Sequence, residues 1–154
     1  MNRGLVTFAL GQREYATPLT SIREVVRLEW GSLVDLPGME PPLAGVLELR
    51  GCSLPVLDLR APAALGADEG VVRGGRGDVM VLERGQTDAE GSVGVAVDRV
   101  RAVVDPDELP PAGAGAEQGV LPSYVQEVLR GPTGPVFLVD LEQMIDAVRL
   151  VRQT

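Results

Sequence analysis

Histidine and lysine are both absent from this chain of 154 residues, and all 14 basic residues are arginine. Without an imidazole there is no histidine base, no histidine-ligated zinc and no phosphohistidine relay. Without a lysine there is no Walker loop and no Schiff base. The single cysteine, Cys52, excludes an internal disulfide and fits a reducing compartment. No apolar run approaches the roughly 20 residues that span a bilayer, and Met1-Asn2-Arg3-Gly4 opens no apolar signal segment. A cytoplasmic location without membrane insertion is therefore expected. The formal charge of −8 opposes phosphate backbones and anionic lipids, so no nucleic acid is expected as a direct partner. An enzyme could still run on carboxylates alone, but the most common catalytic constellations are excluded.

What is present is a globular composition, 45% hydrophobic, long enough for one domain or two intimately packed subdomains. Short strand signals recur between turn signals. Residues 5–10 and 14–17 flank Gly11-Gln12-Arg13 as an opening hairpin, followed by a helical turn over 18–22 with Thr17 or Thr20 as its cap and a strand over 24–30. A loop carrying Leu36-Pro37-Gly38 and Pro41-Pro42 leads into two apolar-alternating segments joined at Arg50-Gly51, where Gly51 suits a positive φ. Residues 67–77 read as a surface loop, and 78–83 with 92–104 as a long hairpin around 84–91. A linker-like stretch over 109–119, strands over 124–129 and 135–139, and a helix over 140–148 with Asp140 as its N-cap complete the chain.

A degenerate repeat orders these elements. Ile22-Arg23-Glu24-Val25-Val26, then Leu36-Pro37, then Pro55-Val56-Leu57-Asp58-Leu59 is echoed by Val97-Asp98-Arg99-Val100-Arg101, Leu109-Pro110 and Pro135-Val136-Phe137-Leu138-Val139-Asp140-Leu141. Short strands at such spacing favour small antiparallel barrels, and two related barrels would share an apolar face.

The segment Gly45-Val46-Leu47-Glu48-Leu49-Arg50-Gly51, followed by Pro55-Val56-Leu57-Asp58-Leu59-Arg60, closely resembles the signature of CheW-like domains, the coupling modules of bacterial chemosensory arrays. Further stations in order are Val6 to Gly11, Ile22-Arg23-Glu24-Val25, Leu36-Pro37, Gly94 to Val100 and Phe137-Leu138-Val139-Asp140. The resemblance implies an all-β fold of two packed, SH3-like, five-stranded antiparallel barrels with a short C-terminal helix. It would form one domain over residues 4–151, with 1–3 and 152–154 as short termini. It further implies a non-enzymatic chemotaxis adaptor in a two-component system that serves motility. Its partners would be the cytoplasmic hairpin tip of a methyl-accepting chemoreceptor, the regulatory domain of a CheA-type histidine kinase, and other CheW-like proteins. No catalytic residue, cofactor or metal is implied.

Carried over position by position, the receptor groove would use Ile22, Glu24, Gly45, Arg50, Val97, Val100 and Val103. The four apolar side chains could face an amphipathic helical hairpin or the core. Arg50 could be a forked donor to the receptor, or a salt-bridge partner of Glu24 or Asp98 that pins one barrel to the other. Gly45 and Gly51 read as turn or close-approach positions. Asp58, Asp98 and Asp140 follow apolar strands, where carboxylates usually cap turns and helices. Cys52 reads as a small apolar filler. Glu48 in place of the usual asparagine, Glu127, and the segment from Ala61 to Gly77 depart from the family pattern. They raise the alternative of a paralogue that binds receptors with weakened or lost kinase binding; a carboxylate- and magnesium-dependent enzyme is the alternative of another class.

Overall fold

Two-residue apolar periodicity becomes ten strands in the computed structural model, which describes residues 3–34, 43–59, 76–83, 92–113 and 122–146. They are β1 (Leu5–Leu10), β2 (Arg13–Pro18), β3 (Glu24–Glu29), β4 (Leu43–Leu49), β5 (Cys52–Asp58), β6 (Arg76–Glu83), β7 (Ser92–Val97), β8 (Arg99–Val104), β9 (Val125–Gly131) and β10 (Gly134–Val139). A helix, α1, covers 141–146. Asp140 caps it as expected, accepting from the Gln143 N–H at 3.1 Å. The two residues expected to extend it, Ala147 and Val148, lie outside the described residues, as do Leu36-Pro37-Gly38, most of the loop expected over 67–77 and the loop expected over 84–91.

The strands form two five-stranded sheets, ordered β8-β1-β2-β10-β9 and β3-β6-β7-β5-β4. Each sheet closes on itself. Val34, beyond β3, bridges to Val46 in β4, and Pro111, beyond β8, bridges to Leu129 in β9. The stretch from Leu109, expected as the start of a linker, is thus a structural seam: Ala112 N–H donates to Val128 O at 2.9 Å and Arg130 N–H to Pro110 O at 2.7 Å. The barrels are not purely antiparallel. Each holds one parallel pair, β2 with β10 and β5 with β7, because those neighbours come from distant parts of the chain and no tight turn dictates their direction.

Place for place, β1 and β2 correspond to β6 and β7, and β3, β4 and β5 to β8, β9 and β10. The repeat is therefore real in topology, yet no half of the chain builds a barrel alone, since each half's leading hairpin packs with the other half's three strands. Register sets the correspondence. Val56 lies opposite Gly94 as Val136 lies opposite Glu14, so Asp58 matches Leu138 rather than Asp140. The Asp-Leu echo in the sequence is offset by two residues from the structural one.

Other boundaries also move. Residues 92–104 are two strands, not one; the chain leaves one barrel for the other at Asp98, whose N–H donates to Ala9 O at 3.1 Å. β6 begins at Arg76, pairing with Glu29, so the expected loop ends earlier. The turn at Leu19–Ser21 has Pro18 at its N-cap and no side-chain cap. Thr17 instead donates its hydroxyl to Val139 O at 3.1 Å in the interior.

Among the described residues, three apolar clusters result. Leu28, Leu47, Leu54, Val56, Val79, Val81 and Ala96 fill one barrel, and Leu5, Ala16, Leu109, Leu129 and Val136 fill the other. The largest lies between them and draws on both barrels and the helix, including Phe8, Tyr15, Leu57, Met80, Val95, Val97, Phe137 and Met144.

Candidate partner-binding site

The β4–β5 hairpin turns on Arg50 (φ 50°) and Gly51 (φ 80°), with Leu49 opposite Cys52. Positive φ at both turn residues matches the right-handed twist of the strands. Glycine adopts it freely; an arginine there costs about 1 kcal/mol. The arginine is aimed by this turn at Glu24: Nη1 donates to Oε2 at 2.9 Å and Nη2 to Oε1 at 2.5 Å. The fork-on-fork geometry is one that only arginine offers. The hydrogen bond from Arg50 holds the Glu24 carboxyl below the usual carboxylate range, and the nearby charges of Arg50 and Arg23 add to it against the opposing effect of burial. Arg23 also lies 3.4 Å from Glu83.

This pair joins the two terminal strands of one sheet, β3 and the β4–β5 turn. It therefore clamps a barrel shut and does not pin one barrel to the other. Asp98, the other partner considered for Arg50, instead accepts from Gly11 N–H at 2.6 Å. Gly45 belongs to the same seam. It is buried, and a Cβ there would lie 3.0 Å from Leu33 Cβ and 3.1 Å from Val34 O, so the Val34–Val46 bridge requires a glycine.

The valines divide by depth. Val97 is fully buried in the inter-barrel core and presents no surface, which corrects its assignment as a groove wall. Val100 is half-buried against that core, as is Ile22. Val103 is 61% exposed. Register explains the gradient. Phe8 lies in the inter-barrel core, and Val6, two residues earlier on the same face of β1, is buried too; they pair with Val100 and Val103 of β8. The apolar face that is sealed at Phe8 and Val6 thus runs out to solvent across one strand.

A bulge makes this possible. Thr7 pairs with Ala102 and Phe8 with Val100, leaving Arg101 as the extra residue. Arg101 is bound to Glu14 at 2.6 Å, and the Val100 N–H donates to Asp78 Oδ2 at 2.7 Å. Neither Asp78 nor Glu14 was among the expected site residues. The signal for Asp78 was its place in the period-two series Asp78, Met80, Leu82, a carboxylate on an otherwise apolar face.

Other candidates find structural places. Asp58 is buried within β5, Asp140 caps α1, and Cys52 is exposed rather than a core filler. Glu48 accepts from Ser53 Oγ across the hairpin at 2.7 Å, and Glu127 occupies an exposed position opposite Leu138. Burial, with the neighbouring Tyr15, pushes the Tyr124 phenol up to about 12, so it stays neutral. Among the described residues no group of three Cys, Asp or Glu side chains is arranged to hold a metal, and no helix is long and apolar enough to cross a membrane.

A profile of the CheW-like domain matches residues 4–149. A segment of 56 residues is 36% identical to the chemotaxis protein CheW of Bacillus subtilis, covering 36% of this chain and 35% of that protein. One of 108 residues is 28% identical to the chemotaxis protein CheW of Rhizobium meliloti, covering 70% and 66%. The chain thus spans less than two thirds of the length of the curated relatives it matches. In fold it is similar to the crystal structure of the scaffolding protein TtCheW from Thermoanaerobacter tengcongensis, with a TM-score of 0.66 at 20% identity over 94% of this chain and 92% of that one.

Proposed function

The chain belongs to the CheW-like domain family, and we propose that it is a non-enzymatic cytoplasmic adaptor coupling the hairpin tips of chemoreceptors to the regulatory domain of a CheA-type histidine kinase. One observation carries the receptor half of this reading. The inter-barrel apolar face emerges along β8, from Val6 at 2% exposure to its register partner Val103 at 61%. An exposed valine beside a half-buried one is the kind of strip on which the apolar face of a helical hairpin can lie. Glu24 and Arg50 supply a rigid charged feature that can take part in polar contacts with the same partner. Arg50 remains 65% exposed while bound to Glu24 and has further donors to offer. Ile22 belongs to the proposed site through its half-buried contact with the inter-barrel core, and Val97 and Gly45 support it from beneath.

Val103→Glu tests the reading without a folding penalty, because that side chain already faces water. Val100→Glu places the carboxylate deeper. Titration calorimetry against a receptor tip is expected to lose about 2 kcal/mol or more for Val100→Glu, where an unpaired charge would be covered by the helix, and less for Val103→Glu. Both variants folded by circular dichroism and binding as wild type would overturn the groove. The kinase half is tested separately by titration with the regulatory domain. A Kd of about 1 μM or tighter, roughly −8 kcal/mol, supports coupling.

A further inference from the structure

We infer that Asp78 is a positioning residue of the receptor groove. Resting on the adaptor reading above, the inference deepens it: the carboxylate reaches from one barrel to the other, fixes the bulge in β8, and thereby sets where Val100 stands.

The argument begins with the face that Asp78 occupies. Val79 and Val81 point into their barrel, so Asp78, Met80 and Leu82 share the opposite, inter-barrel face. Met80 and Leu82 enter the inter-barrel core; Asp78 is half-buried at its margin, opposite Val97 on one side and Arg27 on the other. From there Oδ2 accepts the Val100 N–H at 2.7 Å. Val100 borders the bulge, where one β8 residue goes unpaired with β1. A bulge loosens the local ladder and re-aims the neighbouring side chains. An N–H at such a place needs an acceptor, and a carboxylate bond to it is charge-assisted. Arg101, the extra residue, is held by Glu14. The wall of the groove is therefore tied at consecutive residues, once within its own barrel and once across to the other.

The internal repeat makes the asymmetry plain. The register equates Asp78 with Val6, and Val25 and Arg27 with Val100 and Val103. On the β8 side the strip is valine at all three places; on the β3 side Val25 keeps one of them apolar, and the other two hold an aspartate and an arginine. Of two topologically equivalent faces, Asp78 removes apolar character from one and braces the other.

The test uses the full chain with Asp78→Ala and Asp78→Asn, and Gly94→Ala as a control that disturbs the same barrel from its interior. Amide exchange by NMR reads the bond at Val100, and titration with a receptor tip reads the groove. Loss of a charge-assisted bond predicts that Asp78→Ala speeds Val100 exchange and weakens tip binding, each by about tenfold. Asp78→Asn, which keeps an oxygen at the same reach, should recover most of both, and Gly94→Ala should bind tips as wild type does. Unchanged Val100 exchange in Asp78→Ala overturns the inference, as does an unchanged tip affinity. An equal loss in Gly94→Ala would reduce the effect to general stability and overturn it too. A wild type that captures no tip sinks the adaptor reading itself and the positioning role with it, whereas a wild type that binds confines any failure to Asp78.

Discussion

Arg50 occupies a backbone region that an L-residue enters at a cost, with its side chain spent on a two-pronged bond to Glu24. Strain retained at one exposed arginine is an observation from which a functional role can be argued. Arg50→Lys keeps the charge and loses the fork, so tip affinity should fall severalfold while the thermal midpoint drops only slightly, because the arginine of the clamp is exposed and such a pair adds little stability; full binding by the lysine variant would reduce Arg50 to a point charge. Glu24 adds a pH signature. Its carboxyl lies below its ordinary value when folded, so the unfolded chain takes up that proton first as pH falls. The contribution is therefore complete at neutral pH and is lost as pH drops through the depressed folded value. Denaturant unfolding across the acid range should show a shallower decline for Glu24→Gln than for the native chain.

The hairpins and strands carry a different kind of information. β7 is central to its sheet, between β6 and β5, and contains Gly94 where a side chain would enter the barrel interior. A Cβ there would sit 2.7 Å from Val79 Cγ1 and 3.1 Å from Leu54 Cδ2. Gly94→Ala should therefore overpack the barrel and lower stability by about 1–3 kcal/mol, visible as a shifted urea midpoint with an unchanged slope; a neutral result would mean that Val79 and Leu54 can make room. β8 works in the opposite sense. Its bulge, its partly exposed valines and its tie to Asp78 make it an irregular strand, on the face proposed for a partner.

Across the whole molecule, exchange of leading hairpins between the halves leaves neither barrel complete within one half of the chain, so the two are expected to unfold as one unit. Phe8, from the first strand, contacts a core that also holds Met80 and Val95 of the other barrel. It stacks on Tyr15 at 5.5 Å between ring centroids. Phe8→Ala should cost about 3–5 kcal/mol, and hydrogen exchange should quicken in both barrels together. Loss of protection in one barrel alone would contradict a single cooperative unit.

Much of this was legible in the residues themselves. Alternating apolar positions located the strands, Gly51 marked the hairpin, Asp140 marked the helix start, and the ordered stations pointed to the family, because local patterns are fixed by neighbours in sequence. The break at Asp98 was not legible: Ser92 to Val104 reads as one β-rich run, and only the long-range bonds of Asp98 to Ala9 and Gly11 show the chain changing barrels. Nor could spacing choose between Glu24 and Asp98 as the partner of Arg50, tell the buried Val97 from the exposed Val103, or bring Asp78 to Val100. Those outcomes depend on which strands from opposite halves lie side by side and in what register. Such pairings join residues far apart in the chain, so the tertiary structure alone decides them.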